Sequence, residues 1–244
     1  MTIGVLVITY NEEEMLNACL ESVNWADEIV VIDSKSEDRT REIAGAYTEK
    51  IYQREFDDFS SQRNFGLDKL DSDWILVLDA DERVTDELRT EIKEVVENAR
   101  YDLYQIPRKN FFLGKWIKYA GWYPDYTDRL FRNNQGINYA GEVHESPNFD
   151  GEKGRLDEPM VHYTYKDIAS YMDKVNHYTT LSAAESNKNP SLFYVLARTC
   201  FEFFNFLILK KAFLLGKEGL VLTSVSTISK FLKYIKIWEK NRGD

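Results

Sequence analysis

Trp74-Ile75-Leu76-Val77-Leu78-Asp79-Ala80-Asp81-Glu82-Arg83 is the stretch whose reading decides the fold. Five apolar residues, β-branched at Ile75 and Val77, run without a charge and stop at two aspartates. A short apolar run bounded by polar residues suits a strand buried on both faces, as in a parallel sheet covered by helices. Open sheets of that kind bind ligands beyond the carboxyl ends of their strands. With a strand period of two, Asp79 and Asp81 are expected on the same side, with small Ala80 between them. Two convergent carboxylates suit a hard divalent cation that keeps open positions for phosphate oxygens. A solvated Asp-rich turn after a core strand fits the same residues, so the choice rests on the flanking chain.

Upstream, Ile3 to Thr9 reads as a buried strand that breaks at Tyr10-Asn11-Glu12-Glu13-Glu14. Asn11 is the expected N-cap of a helix with an acidic first turn, in which Met15, Cys19 and Leu20 recur at helical spacing through Val23. Glu28 to Asp33 is a second strand ending in an aspartate, followed by a polar turn over Ser34–Thr40 and a helix holding Ile43 and Ala44. Ile51 to Arg54 reads as a short strand, and a helix starts near Phe59 with Ser60 or Ser61 as its cap. Strand and helix alternating at this rhythm give βαβ units and a parallel sheet. Thr9, Asp33 and Asp79 then share one rim, and three polar strand ends together argue for a ligand there.

Downstream, Thr85 to Arg100 is an acidic amphipathic helix with Leu88, Ile92, Val95 and Val96 inward. Residues 101–165 mix strand and loop and are rich in Tyr, Trp, Gly and Asn. Trp116, Trp122 and Tyr123 fit either sugar stacking or an aromatic core. Tyr139-Ala140-Gly141-Glu142-Val143-His144-Glu145 gathers ionisable groups beside a glycine, and Tyr165 to Lys188 reads as a helix. From Ser191 to Gly216 the chain is strongly apolar, but Lys210 and Lys211 interrupt it short of the ~20 residues of a membrane span. Gly219 to Trp238 repeats the apolar and basic character. Such helices lie on a membrane surface, or pack as a helical cap or a dimer interface.

The net charge of −10 disfavours nucleic acid as a partner. From Arg198 onward nine Lys/Arg face four Asp/Glu, a net +5 that leaves −15 on residues 1–197. An acidic body with a basic, aromatic tail is suited to an anionic surface. Cys19 and Cys200 lie far apart and form no metal-type cluster, as expected of a reduced compartment. The first residues have no basic segment and too short an apolar run for a signal peptide, so the cytoplasmic side is expected.

No Gly-x-Gly-x-x-Gly follows the first strand, and no Walker-type Gly-Lys-Ser/Thr or Gly-x-Ser-x-Gly occurs, which counts against dinucleotide, P-loop and serine-hydrolase chemistry. Val7-Ile8-Thr9-Tyr10-Asn11-Glu12-Glu13, Val31 through Thr40, and Leu78-Asp79-Ala80-Asp81-Glu82 together resemble the inverting glycosyltransferases of family two, with the GT-A fold. Gln62-Arg63-Asn64, Gly141 to Glu145 and the basic aromatic C-terminus resemble the bacterial lipopolysaccharide-core glucosyltransferase branch.

The resemblance implies an α/β GT-A catalytic domain over 1–165, with a nucleotide-binding half over about 1–100, an acceptor half over about 101–165, and a helical extension over 166–244. It implies a UDP-sugar donor, with glucose as the expected sugar, held by Thr9, Tyr10, Asn11, Glu12, Asp33, Ser34, Arg63, Asp79, Ala80 and Asp81. Asp33 would accept hydrogen bonds from the base or ribose. Asp81, with Asp79 and His144 as further ligands, would hold Mg²⁺ or Mn²⁺ against the diphosphate. A salt bridge is an equal use for Arg63, and a structural role an equal use for His144.

Inversion needs a carboxylate base, for which Glu145 comes first, Glu142 second and Asp128 third. Either glutamate is also able to pair with Arg129 or Arg132. No downstream Glu-Asp pair or Gln-x-x-Arg-Trp signature occurs, which leaves the base open and argues against processive polymer synthesis. The implied acceptor is a lipid-linked or cell-surface glycan. The protein would sit on the inner face of the cell membrane through residues 191–242, or form a homo-oligomer through them. Two other readings compete: a non-catalytic nucleotide-sugar or glycan-binding module, and a haloacid-dehalogenase-type phosphatase. The phosphatase motif rarely continues with a residue like Glu82 and usually opens its domain.

Overall fold

The computed structural model describes residues 1–133, 136–141, 146–165 and 167–242. The elements run β1 (Ile3–Thr9), α1 (Leu16–Ser22), β2 (Glu28–Asp33), α2 (Thr40–Ala44), β3 (Ile51–Gln53), α3 (Phe59–Leu67), β4 (Trp74–Asp79), β5 (Glu82–Arg83) and α4 (Asp86–Glu97). They continue with β6 (Leu103–Phe112), β7 (Lys115–Trp116), β8 (Tyr126–Arg132), β9 (Tyr139–Ala140), β10 (Ser146–Pro147), β11 (Lys153–Arg155), β12 (Met160–Tyr165), α5 (Ile168–Ala184), α6 (Leu192–Phe204) and α7 (Lys217–Lys240). The chain divides into two compact units: Met1–Lys109 with Asp125–His162, and Asn110–Pro124 with Tyr163–Asp244. A single boundary at 165/166 does not anticipate that the 110–124 excursion joins the helical unit.

In the first unit β3, β2, β1 and β4 form a parallel run, and β8 and β6 extend it antiparallel. Alternation of side chains sorts β1 and β4 cleanly between two cores. Val5, Val7, Trp74, Leu76 and Leu78 join Leu16, Leu20, Leu88 and Ile92 of the α1 and α4 face. Leu6, Ile8, Ile75 and Val77 join Leu67, Phe131 and Tyr139 on the opposite face. This double burial explains why these strands read as unbroken apolar runs. The register sets Thr9 beside Asp33 and Ile8 beside Asp79, so the three strand ends share a rim.

Three helix N-termini differ from the sequence reading. Helix α1 begins at Leu16 without a side-chain cap. Asn11 instead adopts a left-handed backbone, φ 51°, in the loop after β1, a conformation Asn tolerates better than most residues. Helix α3 is capped by Asp58, whose carboxylate accepts from the Ser61 amide, and not by Ser60 or Ser61. An ionised acceptor at a helix N-terminus outcompetes a hydroxyl. Helix α4 is capped by Thr85, as its leading position suggests, while Val95 stays half-buried. In the second unit α5 starts at Ile168, later than Tyr165, because Asp167 and Ser170 form a reciprocal capping box.

Gly66 lets α3 approach the sheet. A Cβ there would lie 2.3 Å from Leu6 Cδ1 and 3.0 Å from Ile32 Cγ1, both in the packed core. Gly66→Ala is therefore expected to lower stability by about 1–3 kcal/mol. Urea unfolding measures this, and an unchanged midpoint would mean the helix has slack the packing does not suggest.

Candidate active site

The rim begins with two loops stitched together by hydrogen bonds. The Asn11 amide donates to Ser36 Oγ at 2.9 Å, the Glu37 amide to Asn11 Oδ1 at 2.9 Å, and the Glu12 amide to Thr40 Oγ1 at 2.8 Å. Ser34 donates its amide to the Thr9 carbonyl at 2.9 Å. This bracing holds the segment after β1 against the segment after β2. Asp33 is fully buried at the β2 end and accepts the Ser36 amide and, at 3.4 Å, Gln53 Nε2, with Arg41 Nε 4.0 Å away. Thr9 Oγ1 is buried there without a hydrogen-bond partner, and Tyr10 stands exposed. A buried carboxylate and a bare hydroxyl on one rim are able to receive donors from a ligand.

At the end of β4 the chain turns at Ala80-Asp81 into β5. Asp79 Oδ1 accepts from Arg63 at 2.8 Å, and its Oδ2 accepts from Arg129 at 2.6 Å. Arg129 also donates to Glu82 Oε1 at 2.7 Å, and Glu82 Oε2 accepts the Asp79 amide at 3.0 Å. Burial alone would raise the Asp79 carboxyl, but Arg129 and Arg63 outweigh it and hold it well below the usual carboxylate range. Burial likewise opposes the Arg129 charge, and Asp79 with Glu82 more than restores it. Arg83 closes the far side of the turn, donating to the Ala80 carbonyl at 2.8 Å and the Met15 carbonyl at 2.6 Å.

The two aspartates therefore have different surroundings. Asp79, expected among the metal ligands, has both oxygens committed to guanidinium groups. Asp81 has Oδ2 3.5 Å from His162 Nε2 and a buried Oδ1 without a hydrogen-bond partner. A carboxylate with a bare oxygen next to an imidazole is a mixed oxygen and nitrogen donor pair that suits Mn²⁺ better than Mg²⁺, which prefers oxygen ligands alone. No cluster of three such ligands occurs among the described residues, so phosphate oxygens and water would complete the coordination. His162 escapes sequence reasoning because only the antiparallel register of β12 on β5, His162 against Glu82, brings it to this turn. His144, Glu142 and Glu145 lie outside the described residues.

Beside Asp79 opens a cavity of about 340 Å³, lined by Arg63, Arg108, Asp128, Arg129, Tyr139 and Ser146 among others. Asp128, the third base candidate, faces it with Oδ1 accepting from Gln105 at 3.0 Å and Oδ2 from Lys153 at 2.8 Å. Arg108 pairs with Asp125 at 2.8 Å. Burial pushes the Tyr139 phenol up to about 12, so it stays protonated, and its hydroxyl has no hydrogen-bond partner. The Gln62-Arg63-Asn64 motif frames this wall. Gln62 donates to the Glu55 carbonyl, Arg63 to Asp79, and Asn64 exchanges two hydrogen bonds with the Tyr139 backbone. Arg129, named in the sequence only as a partner for Glu142 or Glu145, pairs instead with Asp79 and Glu82, and no site role was read for Glu82, Arg83 or Tyr139, since their partners lie up to tens of residues away.

The glycosyl transferase family 2 model matches residues 4–146, which include all of the rim. An uncharacterized glycosyltransferase of Rickettsia bellii is 26% identical over 263 residues, covering 97% of this chain and 86% of its own. A lipopolysaccharide core biosynthesis glycosyltransferase of Rhizobium meliloti is 23% identical over 257 residues, covering 99% and 93%. Among solved structures, S. aureus TarS 1–349 in complex with UDP-GlcNAc has a TM-score of 0.53 at 15% identity, covering 100% of this chain and 92% of that one. That likeness fixes the fold as the GT-A type.

Arg129→Met should destabilise the protein by about 3–5 kcal/mol at pH 7, because it leaves buried Glu82 with only Arg108, 3.8 Å away, as counter-charge and Asp79 with Arg63 alone. Asp79 is held below its unfolded value near 4, so its contribution is complete above that pH and drains away as pH falls further. The gap between wild type and variant in denaturant unfolding should therefore narrow below about pH 4. A pH-independent gap, or none, would contradict the network.

Proposed function

This chain belongs to glycosyl transferase family 2, and from that premise we propose that it transfers a sugar, with glucose as the expected group, from a UDP-sugar to a glycan with inversion. The observation that carries the donor reading is Asp81, whose buried Oδ1 lacks a partner beside His162 on the carboxyl rim. Asp81 and His162 would hold Mg²⁺ or Mn²⁺, whose charge would offset that of the departing UDP. Asp33 and the braced Thr9–Glu12 segment would take the uridine through hydrogen bonds to base and ribose. Asp79 serves here as an anchor for Arg63 and Arg129, not as a ligand.

The acceptor enters the neighbouring cavity in this reading. Its lining by three arginines and a protonated tyrosine suits hydroxyl and anionic groups of a glycan such as a lipopolysaccharide core. Glu145 is the proposed base, and the residue after it, Ser146, lines the cavity. A base must be able to accept a proton, and Asp128, already bonded through both oxygens to Gln105 and Lys153, is a poorer choice. Lipid linkage of the acceptor would bring the reaction to the cytoplasmic face of the membrane.

Two measurements test these assignments. In calorimetric titration with Mn²⁺ present, UDP should bind wild type tightly, and Asp81→Asn should weaken it by about tenfold or more. Equal affinity for UDP in the variant would remove the metal assignment. In a transfer assay with UDP-glucose and core glycan, Glu145→Gln should retain UDP binding and lose turnover by a factor of about 10² or more. Full turnover in that variant, with loss in Asp128→Asn instead, would move the base to Asp128.

A further inference from the structure

The second unit contains a helix whose polarity is reversed with respect to water. Helix α6 continues through a π-helical turn, Asn205–Leu209, into a 3₁₀ turn, Ala212–Leu215. Its inward positions are Val195, Glu202 and Phe206, so the one carboxylate of the helix is buried. Its outward stripe, at the spacing of one helical face, is Phe193, Ala197, Cys200, Phe204 and Ile208, flanked by Leu196, Phe201 and Leu209. Phe193 is 81% exposed, Phe204 63% and Leu209 68%. Phe213, Leu214 and Leu220 prolong the apolar surface into the following turn and α7. Water-facing helices carry charge outward and apolar groups inward, and this one does the opposite.

Cations border the stripe. Arg198 lies 5.1 Å from the Phe201 ring centroid, and Lys210 lies 5.1 Å from that of Phe206. Lys210, Lys211 and Lys217 are exposed. In contrast, Lys236 and Lys240 of α7 are spent on α5 and its end, donating to Asn176, Thr179 and Ala184. Apolar side chains bordered by cations, with Lys210, Lys211 and Lys217 exposed, match the acyl boundary and the anionic headgroups of a lipid leaflet.

The geometry points to lipid, and we propose that the outward face of Leu192–Leu214 lies in the plane of an anionic bilayer, inserted to the depth of the upper acyl chains. Length alone also permits another arrangement, because Leu192–Leu209 gives 18 residues with a mean hydropathy of 1.6, or about 27 Å of helix. Crossing the bilayer would put Glu202 and Arg198 near mid-depth, and would strip Val195 and Tyr194 from their packing against Ile237 and Tyr234 of α7. In-plane seating keeps that packing and wets the cations. This inference is independent of the donor and base assignments.

Cys200 sits at the middle of the stripe and is exposed, whereas Cys19 is buried, and burial pushes its thiol pKa up. An environment-sensitive fluorophore on Cys200 of the full chain therefore reports this face alone. With phosphatidylethanolamine–phosphatidylglycerol vesicles its emission should shift to the blue, more weakly in high salt or with phosphatidylcholine alone. Lipids brominated near the headgroup end of the acyl chain should quench it best. Strongest quenching by bromine at the chain terminus would overturn in-plane seating in favour of a span, which puts residue 200 at the bilayer centre. In flotation of the unlabelled chain, Phe193→Ser/Phe201→Ser/Phe204→Ser should weaken vesicle binding at least roughly tenfold while leaving the unfolding midpoint unchanged, since these rings are exposed or half-buried. No spectral shift with any vesicle, together with a dimer in light scattering that the triple variant abolishes, would overturn the proposal and assign the face to a second copy of the chain.

Discussion

One guanidinium, that of Arg129, lies buried between Asp79 and Glu82, and the carboxyl rim of the first unit is arranged around that contact. It ties β8 to the end of β4 and to β5, and Arg63 adds α3 through the other oxygen of Asp79. Loss of one member of such a buried network is costly, because the remaining carboxylates keep fewer and, for Glu82 with Arg108 at 3.8 Å, more distant counter-charges in a low dielectric. The consequence for chemistry is positional. With Asp79 held by two arginines and Arg83 closing the turn onto Met15, the backbone carrying Asp81 is fixed from both sides. Asp81 keeps an oxygen in reserve. The network makes two neighbouring aspartates unlike, one bonded to guanidinium groups through both oxygens and one with an oxygen left without a hydrogen-bond partner.

Much of this was legible in the chain. The β1, β2 and β4 strands are buried on both faces, so their apolar runs announced them, and the rim of Thr9, Asp33 and Asp79 followed from strand ends alone. What was not legible depends on partners distant in sequence. Asp79 and Asp81 differ because Arg129 comes fifty residues later and His162 about eighty later, in positions only sheet register defines. Asn11 has the residue type of a helix cap, but its side chain serves the Glu37 amide across the rim, so α1 starts at Leu16. In the C-terminal helices the abundance of apolar and basic residues could be counted, while the direction each faces could not. That Glu202 points inward and Phe204 outward is a tertiary fact.

The two units present different surfaces. The first has a parallel-sheet rim braced by loop-to-loop hydrogen bonds, a turn with a carboxylate beside an imidazole, and an arginine-lined cavity. The second has an exposed apolar face with a cationic border.

The most direct test of the central claim is a crystal structure of the protein with Mn²⁺ and UDP, read by the anomalous signal of manganese. The account predicts one peak bonded to Asp81 Oδ1 and His162 Nε2 and to diphosphate oxygens, with Asp79 still held by Arg63 and Arg129. Manganese on Asp79, with its arginine contacts broken, or UDP bound elsewhere than the Asp33 rim, would contradict it.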